Sequence, residues 1–541
     1  MTTSDQAKPA VACGSVWVRW PLHVPIVPLF FVLSFYHANA SEFPAQVLIL
    51  PAAVAIAAAL VLCAILWPAT RSLSAAAAVT SLVVIEAFAF GHVHRAIGPW
   101  RLPLGFFMVS DGQWLIALGL VVTATAALAL VRWRGRIATV TVVLNLLAVS
   151  ATGVVCIQLA AQAWSNRSLP AAAVGPGQEG SASQPAAAEG ALPDIYHIVL
   201  DGYARNDVLL DLYGYDNSAF TDYLTSKGFY VAERARANYA QTALSLASAL
   251  DMRYLDEFAA ASGGGNDRMP LVRAIRQNRF CRHLRGLGYR LVCYPSGYWP
   301  TETIDGAERS GPPGDSFARA LLDSTILSGD AWSGDGEAAA RRHRRRVRHA
   351  LDSLAAGEVS KRPVFVFAHI VCPHPPFVFD RAGETRHLEL SYTLDDGSHW
   401  RRSSDAGGQE YRRAYIEQLQ FINTEMFRVL DAILSRPRPA VIVLQSDHGP
   451  GSRLDWDSRD GTDVVERLAT LLAARFADGG HDGLYEGITP VNAFRATMNH
   501  CFGAKLEPLG DRSYFSPWPR PYDFMDVTAE LEPPATAARH P

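Results

Sequence analysis

The chain has 541 residues, a formal net charge of -3 and 49% hydrophobic residues. This length exceeds that of one ordinary compact domain, and the small net charge gives no indication of nucleic-acid binding. The apolar residues are concentrated in the first third of the chain and the charged residues in the remainder. This asymmetry predicts a membrane region followed by a water-exposed region.

Five apolar stretches in the first third have the composition of membrane-spanning helices, which need about 20 mostly apolar residues. They cover about 21–36, 46–67, 73–90, 114–131 and 138–163. The first is the shortest, and three prolines lie near its start. We therefore expect residues 1–164 to form an all-α transmembrane domain of about five helices, with four or six spans as the alternative.

The charges between these stretches predict the orientation of the domain, because loops on the cytoplasmic side are rich in Lys and Arg. With the N-terminus inside, the outside loops contain only Arg95 and Arg101, whereas the inside loops contain Lys8, Arg19, Arg71, Arg132, Arg134 and Arg136. Five spans then place everything after residue 164 outside the cytoplasm. Four or six spans would place it inside.

The remainder of the chain divides into a linker and a large polar domain. Residues 165–192 are rich in Ala, Gly, Pro and Ser, a composition typical of a flexible linker. In residues 193–541, short apolar runs alternate with amphipathic helical patterns. The runs predicted as strands are 195–200, 289–294, 364–370 and 440–444; the helices are predicted over 218–227, 242–250, 345–354 and 411–434. This alternation predicts an α/β domain with a mostly parallel sheet.

Three of the predicted strands end in residues that bind metal ions or phosphate. Asp201-Gly202 follows the first, the third leads through His369 to His374, and Asp447-His448-Gly449 follows the fourth. Active sites of such folds lie beyond the carboxyl ends of the strands. Carboxylate and imidazole ligands of this kind suit one divalent cation, Zn, Mn or Mg. Each residue alone also has a structural interpretation, as a helix cap or a buried histidine.

The cysteines give no thiolate metal site, because the chain contains no CxxC pair. Cys281 and Cys293 either form a disulfide in an oxidising compartment or are small buried residues.

The motifs resemble those of the alkaline phosphatase/sulfatase superfamily. IYHIVLDGYAR (195–205) resembles its opening strand with the metal-binding acid, and SDHGPGS (446–452) resembles its aspartate-histidine-glycine motif. HIVCPHPPF (369–377) resembles a segment of lipoteichoic acid synthases, and phosphoethanolamine transferases carry a comparable histidine. The resemblance implies an alkaline phosphatase-like domain anchored in a bacterial inner (plasma) membrane, multi-pass, with the catalytic domain periplasmic or otherwise extracytoplasmic.

The resemblance also implies a nucleophile at the start of a helix after the second strand, here predicted over 229–232. Thr242 opens a helical pattern, where free N–H groups and the helix dipole favour a negative oxygen. The Thr-Ala-Leu-Ser spacing resembles the nucleophile segment of the transferases, which implies Thr242. The alternatives are that Thr242 is only an N-cap, or that Ser245 is the nucleophile. In this interpretation Asp201, Asp447 and His448 hold the cation together with Thr242 Oγ1, and His374 stabilises the phosphoryl group or transfers a proton.

Other residues receive subordinate roles or none. His369 is a candidate substrate contact or outer contact of the metal site, and Asn238 and Tyr239 are candidate pocket residues. Arg205 and Asp207 have no assigned role. The chain contains no C/S-x-P-x-R run near Thr242, which disfavours the formylglycine route of classical sulfatases, and the ligand set favours one metal ion. The basic run 341–349 is interpreted as a solvated helix face, with anionic phospholipid as the alternative contact.

Three functions are compatible with these residues. The leading hypothesis is a membrane-anchored, metal-dependent transferase that moves a phosphorus-linked group from a phospholipid headgroup to an envelope lipid or glycan through a covalent Thr intermediate. The alternative is a hydrolase of the same superfamily: a phosphodiesterase, phosphatase or sulfatase. A non-catalytic membrane protein with a degenerate domain is disfavoured, because Asp201, Thr242, His374, Asp447 and His448 are all present.

Overall fold

The computed structural model describes residues 20–97, 101–104, 107–166, 192–311, 317–328, 337–387, 394, 396 and 408–532. The chain divides into two compact units. The helical unit comprises Met1–Ser165 and Ser316–Ala338, and the catalytic unit comprises Asn166–Asp315 and Ala339–Pro541. The short stretch Ser316–Ala338, which was predicted to belong to the domain 193–541, is part of the helical unit. Most of the predicted linker lies outside the described residues.

The N-terminal part of the helical unit consists of long helices and one hairpin. In chain order these are α1 His23–Asn39, α2 Ile49–Thr70, α3 Leu73–Ile97, β1 Arg101–Leu104, β2 Phe107–Ser110, α4 Asp111–Arg132 and α5 Ile137–Ser165. Each predicted span falls on one of these helices. Among the described residues, four helical segments are long and apolar enough to cross a membrane. They correspond to α2 with the turn before it, to most of α3 and α4, and to α5. Helix α1 has 17 residues, so the number of passes remains a prediction.

The long helices expose their apolar side chains. Ile65 is 66% exposed, Leu128 73% and Ile157 71%, and in water this would be unfavourable by about 25 cal/mol for each Å² of apolar surface. Polar groups instead lie inside: the backbone N–H of buried His23 donates to Asn145 Oδ1 at 2.8 Å, and His23 Nδ1 lies 2.6 Å from Ser81 Oγ. This inverted distribution is appropriate to a bilayer.

The rest of the chain contributes short strands and helices around one large sheet. In chain order they are β3 Asp194–Leu200, α6 Asn206–Tyr213, α7 Ser218–Ser226, β4 Tyr230–Val231, α8 Thr242–Asp251, α9 Asp256–Ser262, α10 Met269–Arg276, α11 Arg279–Gly286, β5 Arg290–Tyr294, β6 Glu308–Arg309, α12 Phe317–Asp323 (in the helical unit), α13 Ala338–Ala356, β7 Val364–Ile370, α14 Gln409–Leu434, β8 Ala440–Gln445, α15 Val464–Leu468, β9 Leu472–Arg475, α16 Pro490–Phe502, β10 Tyr514–Phe515 and β11 Met525–Asp526.

The large sheet has the strand order β4-β9-β8-β3-β7-β5-β6. Strands β8, β3, β7, β5 and β6 are parallel to one another, β9 pairs antiparallel with β8, and the edge strand β4 pairs antiparallel with β9. The four predicted apolar strands are confirmed, and they form the adjacent strands β8, β3, β7 and β5. The predicted strand 229–232 is reduced to β4, which pairs through only two residues.

Apolar layers cover both faces of the sheet. On one face, Ile198 and Leu200 of β3 pack in a core with residues of α6, α13 and α14. On the other, Ile195 and Val199 pack with residues of α8, α10, α11 and α16. Burial on both faces explains why the central strands are continuous apolar runs.

Two details differ from the sequence interpretation or resolve it. Cys281 and Cys293 are buried free cysteines, as in the second of the two alternatives. In the basic run, the prediction of a solvated face is wrong for His343, Arg344 and Arg346, which are buried in α13. His343 Nε2 lies 3.0 Å from the carbonyl oxygen of Val371, so this part of α13 packs near the end of β7.

Candidate active site

The three motif-bearing strands are neighbours, so their carboxyl ends meet. Asp201 directly follows β3, and its backbone N–H donates to the Ile370 carbonyl at the end of β7. The backbone N–H of His374 donates to the carbonyl of Asp201 at 2.9 Å. Asp447 and His448 follow β8, the strand on the other side of β3. The sheet therefore brings the predicted residues together from three distant parts of the sequence.

The glycines that follow Asp201 and His448 have different geometries. Gly202 has φ +74°, and a Cβ there would lie 3.4 Å from the Cα and Cβ atoms of His374. Gly449 instead allows a close backbone approach, because a Cβ there would lie 2.0 Å from the Glu466 carbonyl oxygen. A side chain at either position would be disfavoured: at Gly202 by the positive φ, and at Gly449 by steric overlap.

Thr242 is the first residue of α8, and Gln241 occupies the N-cap position. The interpretation of Thr242 as only an N-cap is therefore wrong. Its Oγ1 lies 2.9 Å from His448 Nε2. Ser245 lies one turn further along α8, fully buried, and its Oγ has no hydrogen-bond partner among the described residues. Of the two hydroxyls, that of Thr242 is therefore the one that contacts the cluster among the described residues.

His448 lies at the centre of the cluster. Its Nε2 is 3.5 Å from Asp201 Oδ1 and 3.3 Å from Asp447 Oδ2. Its Nδ1–H donates to the Gly449 carbonyl at 2.9 Å, which leaves the Nε2 lone pair facing Thr242 and the carboxylates. Two overlapping sets of possible metal ligands result: Asp201 with His374 and His448, and Asp201 with His369 and Asp447, each with ligand atoms within 4.8 Å of one another.

The carboxylates of this cluster lack the hydrogen bonds that buried oxygens normally make. Asp201 Oδ1 and both carboxylate oxygens of Asp447 are buried and have no hydrogen-bond partner among the described residues. Unpaired buried carboxylate oxygens cost free energy unless a cation or donor meets them. The donor set and these oxygens therefore fit a divalent cation.

The electrostatics of the cluster agree with this fit. Burial and the nearby charge of Asp201 raise the pKa of Asp447, because two carboxylates repel one another when no cation lies between them. Burial also raises the pKa of Asp201, but His374 and His369 more than offset it and hold that pKa below its usual value. Burial and then Arg467 lower the pKa of His448 to about 4, so its imidazole is neutral, the form that coordinates metal ions.

His374 has the opposite electrostatic character. Burial alone lowers the pKa of its imidazole, yet the carboxylates of Asp201 and Asp396 raise it to about 9. The contact with Asp396 joins His374 Nε2 to Asp396 Oδ1 at 2.9 Å. These carboxylates therefore favour the protonated form of His374 at neutral pH.

Two residues of the site, Arg467 and Asp396, could not be identified from the sequence. Arg467, 1% exposed, donates from Nε to the Ala240 carbonyl at 2.8 Å and from Nη1 to the Gly449 carbonyl at 3.0 Å. Its Nη1 also lies 2.9 Å from Asp396 Oδ1, while its Nη2 has no hydrogen-bond partner among the described residues. Neither Arg467 nor Asp396 belongs to a motif. Arg467 follows Glu466, and such a pair is typical of an exposed surface, so no local signal indicated either residue.

The residues with subordinate predicted roles separate into two groups. His369 joins the cluster: its Nε2 lies 3.1 Å from Asp201 Oδ2 and its Nδ1 2.8 Å from Thr301 Oγ1. Asn238 is buried, and its Oδ1 accepts from the backbone N–H of Val491.

Like Asn238, the remaining three residues make structural contacts away from the cluster. The hydroxyl of Tyr239 accepts from the backbone N–H of Leu255. Arg205 and Asp207 form an ion pair at the start of α6, which explains their position without a catalytic role.

Comparison with known proteins identifies the family of the catalytic unit. The sulfatase family model matches residues 193–496, which is more than half of the chain. No curated protein shows a significant sequence match.

Three solved structures illustrate the range of similar folds. The C-terminal periplasmic domain of EcEptC from Escherichia coli is 10% identical, with a TM-score of 0.38 over 62% of this chain and 93% of that chain. The integral membrane lipooligosaccharide phosphoethanolamine transferase A from Neisseria meningitidis is 12% identical, with a TM-score of 0.35 over 91% and 96%. The phosphonate monoester hydrolase of Agrobacterium radiobacter is 12% identical, with a TM-score of 0.37 over 60% and 80%. At TM-scores this low, the likenesses support no inference about activity or substrate.

Proposed function

The chain belongs to the sulfatase family, and we propose that it is a membrane-anchored enzyme that transfers a phosphorus-linked group through a covalent intermediate on Thr242. The observation that carries the proposal is the 2.9 Å contact between Thr242 Oγ1 and His448 Nε2 beside the unpaired carboxylates of Asp201 and Asp447. This arrangement combines a hydroxyl at a helix N-terminus with ligands for a cation.

Asp201, Asp447 and His448, with Thr242 Oγ1, would hold one divalent ion of Zn, Mn or Mg. Such an ion, when bound, lowers the pKa of an adjacent hydroxyl and polarises phosphoryl oxygens. The identity of the metal is left open by these ligands, because carboxylate and imidazole donors suit all three.

The residues of the chain account for both halves of a two-step displacement. Thr242, at the positive end of α8, gives its hydroxyl proton to solvent and attacks phosphorus as the alkoxide, and the bond from phosphorus to the alcohol oxygen breaks. Protonated His374 gives its proton to the departing oxygen. In the second half, neutral His374 takes the proton of an acceptor hydroxyl, and the acceptor oxygen attacks phosphorus. The bond from phosphorus to Thr242 Oγ1 then breaks, which restores the Thr242 alkoxide and protonated His374.

The cationic groups of the site match an anionic tetrahedral substrate. The guanidinium of Arg467 is fixed by Ala240, which lies two residues before the nucleophile, and by Gly449, which follows His448. Fixed positive charge of this kind stabilises the charge that develops on phosphoryl oxygens. The chain lacks the C/S-x-P-x-R run from which a formylglycine would arise, which favours phosphorus over sulfate esters.

The helical unit favours a lipid substrate. It exposes apolar side chains over several helices, so the catalytic unit is attached to a protein part suited to the bilayer. A phospholipid headgroup as donor and an envelope lipid or glycan as acceptor are the substrates that we propose. The catalytic unit then acts on the outer side of a bacterial inner membrane.

A hydrolase is the second candidate, because the Thr242 side chain is only half-buried. Water that reaches a phosphorylated Thr242 would complete the reaction without an acceptor alcohol. The first half of the reaction is the same in both cases.

The test uses the full chain in lipid nanodiscs containing a phospholipid labelled in its headgroup phosphate. We expect a stoichiometric label on Thr242 after rapid acid quench, detected by peptide mass spectrometry, together with release of diacylglycerol. Thr242→Ala should remove the protein label and lower the release of diacylglycerol by about 1,000-fold or more. Ser245→Ala should retain both the label and the release.

The fate of the label separates the two candidates. Transfer of the label to an added alcohol or glycolipid supports the transferase, and exclusive release as a water-soluble phosphate ester supports the hydrolase. Undiminished activity of Thr242→Ala would contradict both.

A further inference from the structure

A short stretch of the chain after β6 packs with the long N-terminal helices rather than in the catalytic unit. We call residues Phe317–Ser328, which include α12, the return segment. It belongs to the helical unit, although more than 150 residues separate it from α5 in the sequence. No sequence signal marks it as a membrane segment, because it is short and contains Arg319 and Asp323.

Apolar side chains of the return segment are buried among aromatic residues of the helical unit. Phe317 is 1% exposed, and its ring centroid lies 5.4 Å from that of Phe35, 6.0 Å from Tyr36 and 5.7 Å from Phe43. Leu321 lies in the same cluster and is 6% exposed. Burial of these two large apolar side chains stabilises the contact between the segment and the helices.

Backbone hydrogen bonds join the return segment to α3. The N–H of Gly91 donates to the Ser324 carbonyl at 3.2 Å, and the N–H of Ile326 donates to the Ala87 carbonyl at 2.9 Å. A Cβ at Gly91 would lie 2.3 Å from the Ser324 carbonyl oxygen. The absence of a side chain at Gly91 is therefore what permits this approach.

These contacts lie within the apolar part of the long helices, about three turns or less before each helix ends. Ala87 precedes His94, the end of the apolar span of α3, by seven residues, which is about 10 Å along a helix. The same cluster includes Leu159 of α5, six residues before that helix ends at Ser165, or about 9 Å. The only charged residues of the segment neutralise one another, since Arg319 Nε lies 3.3 Å from Asp323 Oδ1, which lowers the cost of placing them at this depth.

The outer side of the return segment is apolar. Leu322 is 41% exposed and Leu327 66%. Large exposed apolar residues at the depth of a bilayer boundary are appropriate to contact with lipid.

We propose that the return segment is a second membrane attachment of the catalytic chain, docked on α3 around Gly91 and contacting lipid through Leu322 and Leu327. The chain then enters the membrane once through the N-terminal helices and returns to it between β6 and α13. This inference does not depend on the chemistry proposed above.

The first test measures lipid contact in the full chain reconstituted in phosphatidylcholine–phosphatidylglycerol vesicles. Cys13 and Cys156 are replaced by Ser, and Leu327→Cys is labelled with an environment-sensitive fluorophore. Val359→Cys is the matched control, because Val359 is 98% exposed and belongs to the catalytic unit. We expect nitroxide-labelled lipid to quench the label at 327 several-fold more than the label at 359, and aqueous iodide to do the reverse. Equal quenching of both labels by iodide would overturn the proposal.

The second test measures docking without labels. Gly91→Leu should release the segment and accelerate trypsin cleavage after Arg319 by about 10-fold or more, whereas Gly153→Leu should not, because Gly153 has no atom within 4 Å of its Cβ direction. If Gly91→Leu fails to fold, the double substitution Phe317→Ser, Leu321→Ser replaces it. Unchanged cleavage in a folded variant would contradict the docked segment.

Discussion

The helical unit and the catalytic unit distribute polar and apolar side chains in opposite ways. In the helical unit, Leu128 and Ile157 are exposed, while buried His23 is bonded to Asn145 and Ser81. In the catalytic unit the apolar residues form the interior, and the buried carboxylate of Asp447 has no hydrogen-bond partner among the described residues. The first distribution indicates a lipid solvent, and the second indicates that a ligand completes the site.

The largest expected effect concerns the unpaired carboxylate. Asp447→Asn should remove the bound metal and lower turnover about 1,000-fold or more, since the amide is a poor ligand. The metal-free variant should be more heat-stable than the metal-free wild type, because the repulsion of Asp201 is gone. Metal content and melting temperature before and after chelation check this. Asp207→Asn, an exposed carboxylate paired with Arg205, is the control, and a metal-replete, active Asp447→Asn would contradict the site.

The next effect concerns the buried guanidinium. Arg467→Lys keeps the charge, but an ammonium cannot reach Ala240, Gly449 and Asp396 at once. We expect kcat/KM to fall about 100-fold while metal content is retained. Arg453→Lys, at an exposed ion pair with Asp463, should leave kcat/KM unchanged. An equal loss of kcat/KM in the two variants would contradict a role for Arg467 in the reaction.

A smaller effect concerns a buried polar group in the catalytic core. His197 is fully buried between the rings of Phe367 and Phe494, and neither of its ring nitrogens has a hydrogen-bond partner among the described residues. Burial lowers the pKa of His197 to about 3. Since this pKa lies below the unfolded value of about 6.5, the titration of His197 does not affect stability above pH 6.5, and it destabilises the folded state increasingly as the pH falls toward 3.

His197→Phe should therefore raise the free energy of unfolding by about 1–3 kcal/mol at pH 7, and by more at pH 5. Melting temperatures of the full chain in detergent at the two pH values measure this. His481→Phe at an exposed position should change neither value. A less stable His197→Phe with an unchanged pH dependence would show that the imidazole has a partner.

The smallest effect concerns the paired polar residues of the helical unit. Asn145 accepts from the backbone N–H of His23 and donates to the Trp20 carbonyl at 2.9 Å. Asn145→Leu should lower stability by about 0.6–2 kcal/mol, as for other hydrogen bonds between membrane helices. Unfolding by SDS titration in mixed micelles measures the loss. Thr125→Val, which removes only a bond to Val121 of the same helix, should cost less, and the opposite order would contradict an interior role for Asn145.

Motifs at strand ends were the most predictable part of the molecule. Asp201, Asp447 and His448 follow continuous apolar runs, and parallel strands place such residues on one edge of a sheet. Asp396 could not be predicted, because it comes from a segment without a motif and meets His374 only through the fold. The burial of Arg344 and Arg346 was likewise unpredictable, because a basic helix face gives no indication of which helix or strand covers it.

The sequence by itself determined the division into an apolar and a polar part, the four central strands and the residues of the metal-binding motifs. These features depend on local composition and on chain neighbours, which are visible in one dimension. Only the tertiary structure decided that β8, β3 and β7 are adjacent, that Arg467 and Asp396 complete the cluster, and that the return segment lies against Gly91. The physical reason is that each of these contacts joins residues far apart in the chain, and their stabilisation comes from burial and pairing that no local pattern records.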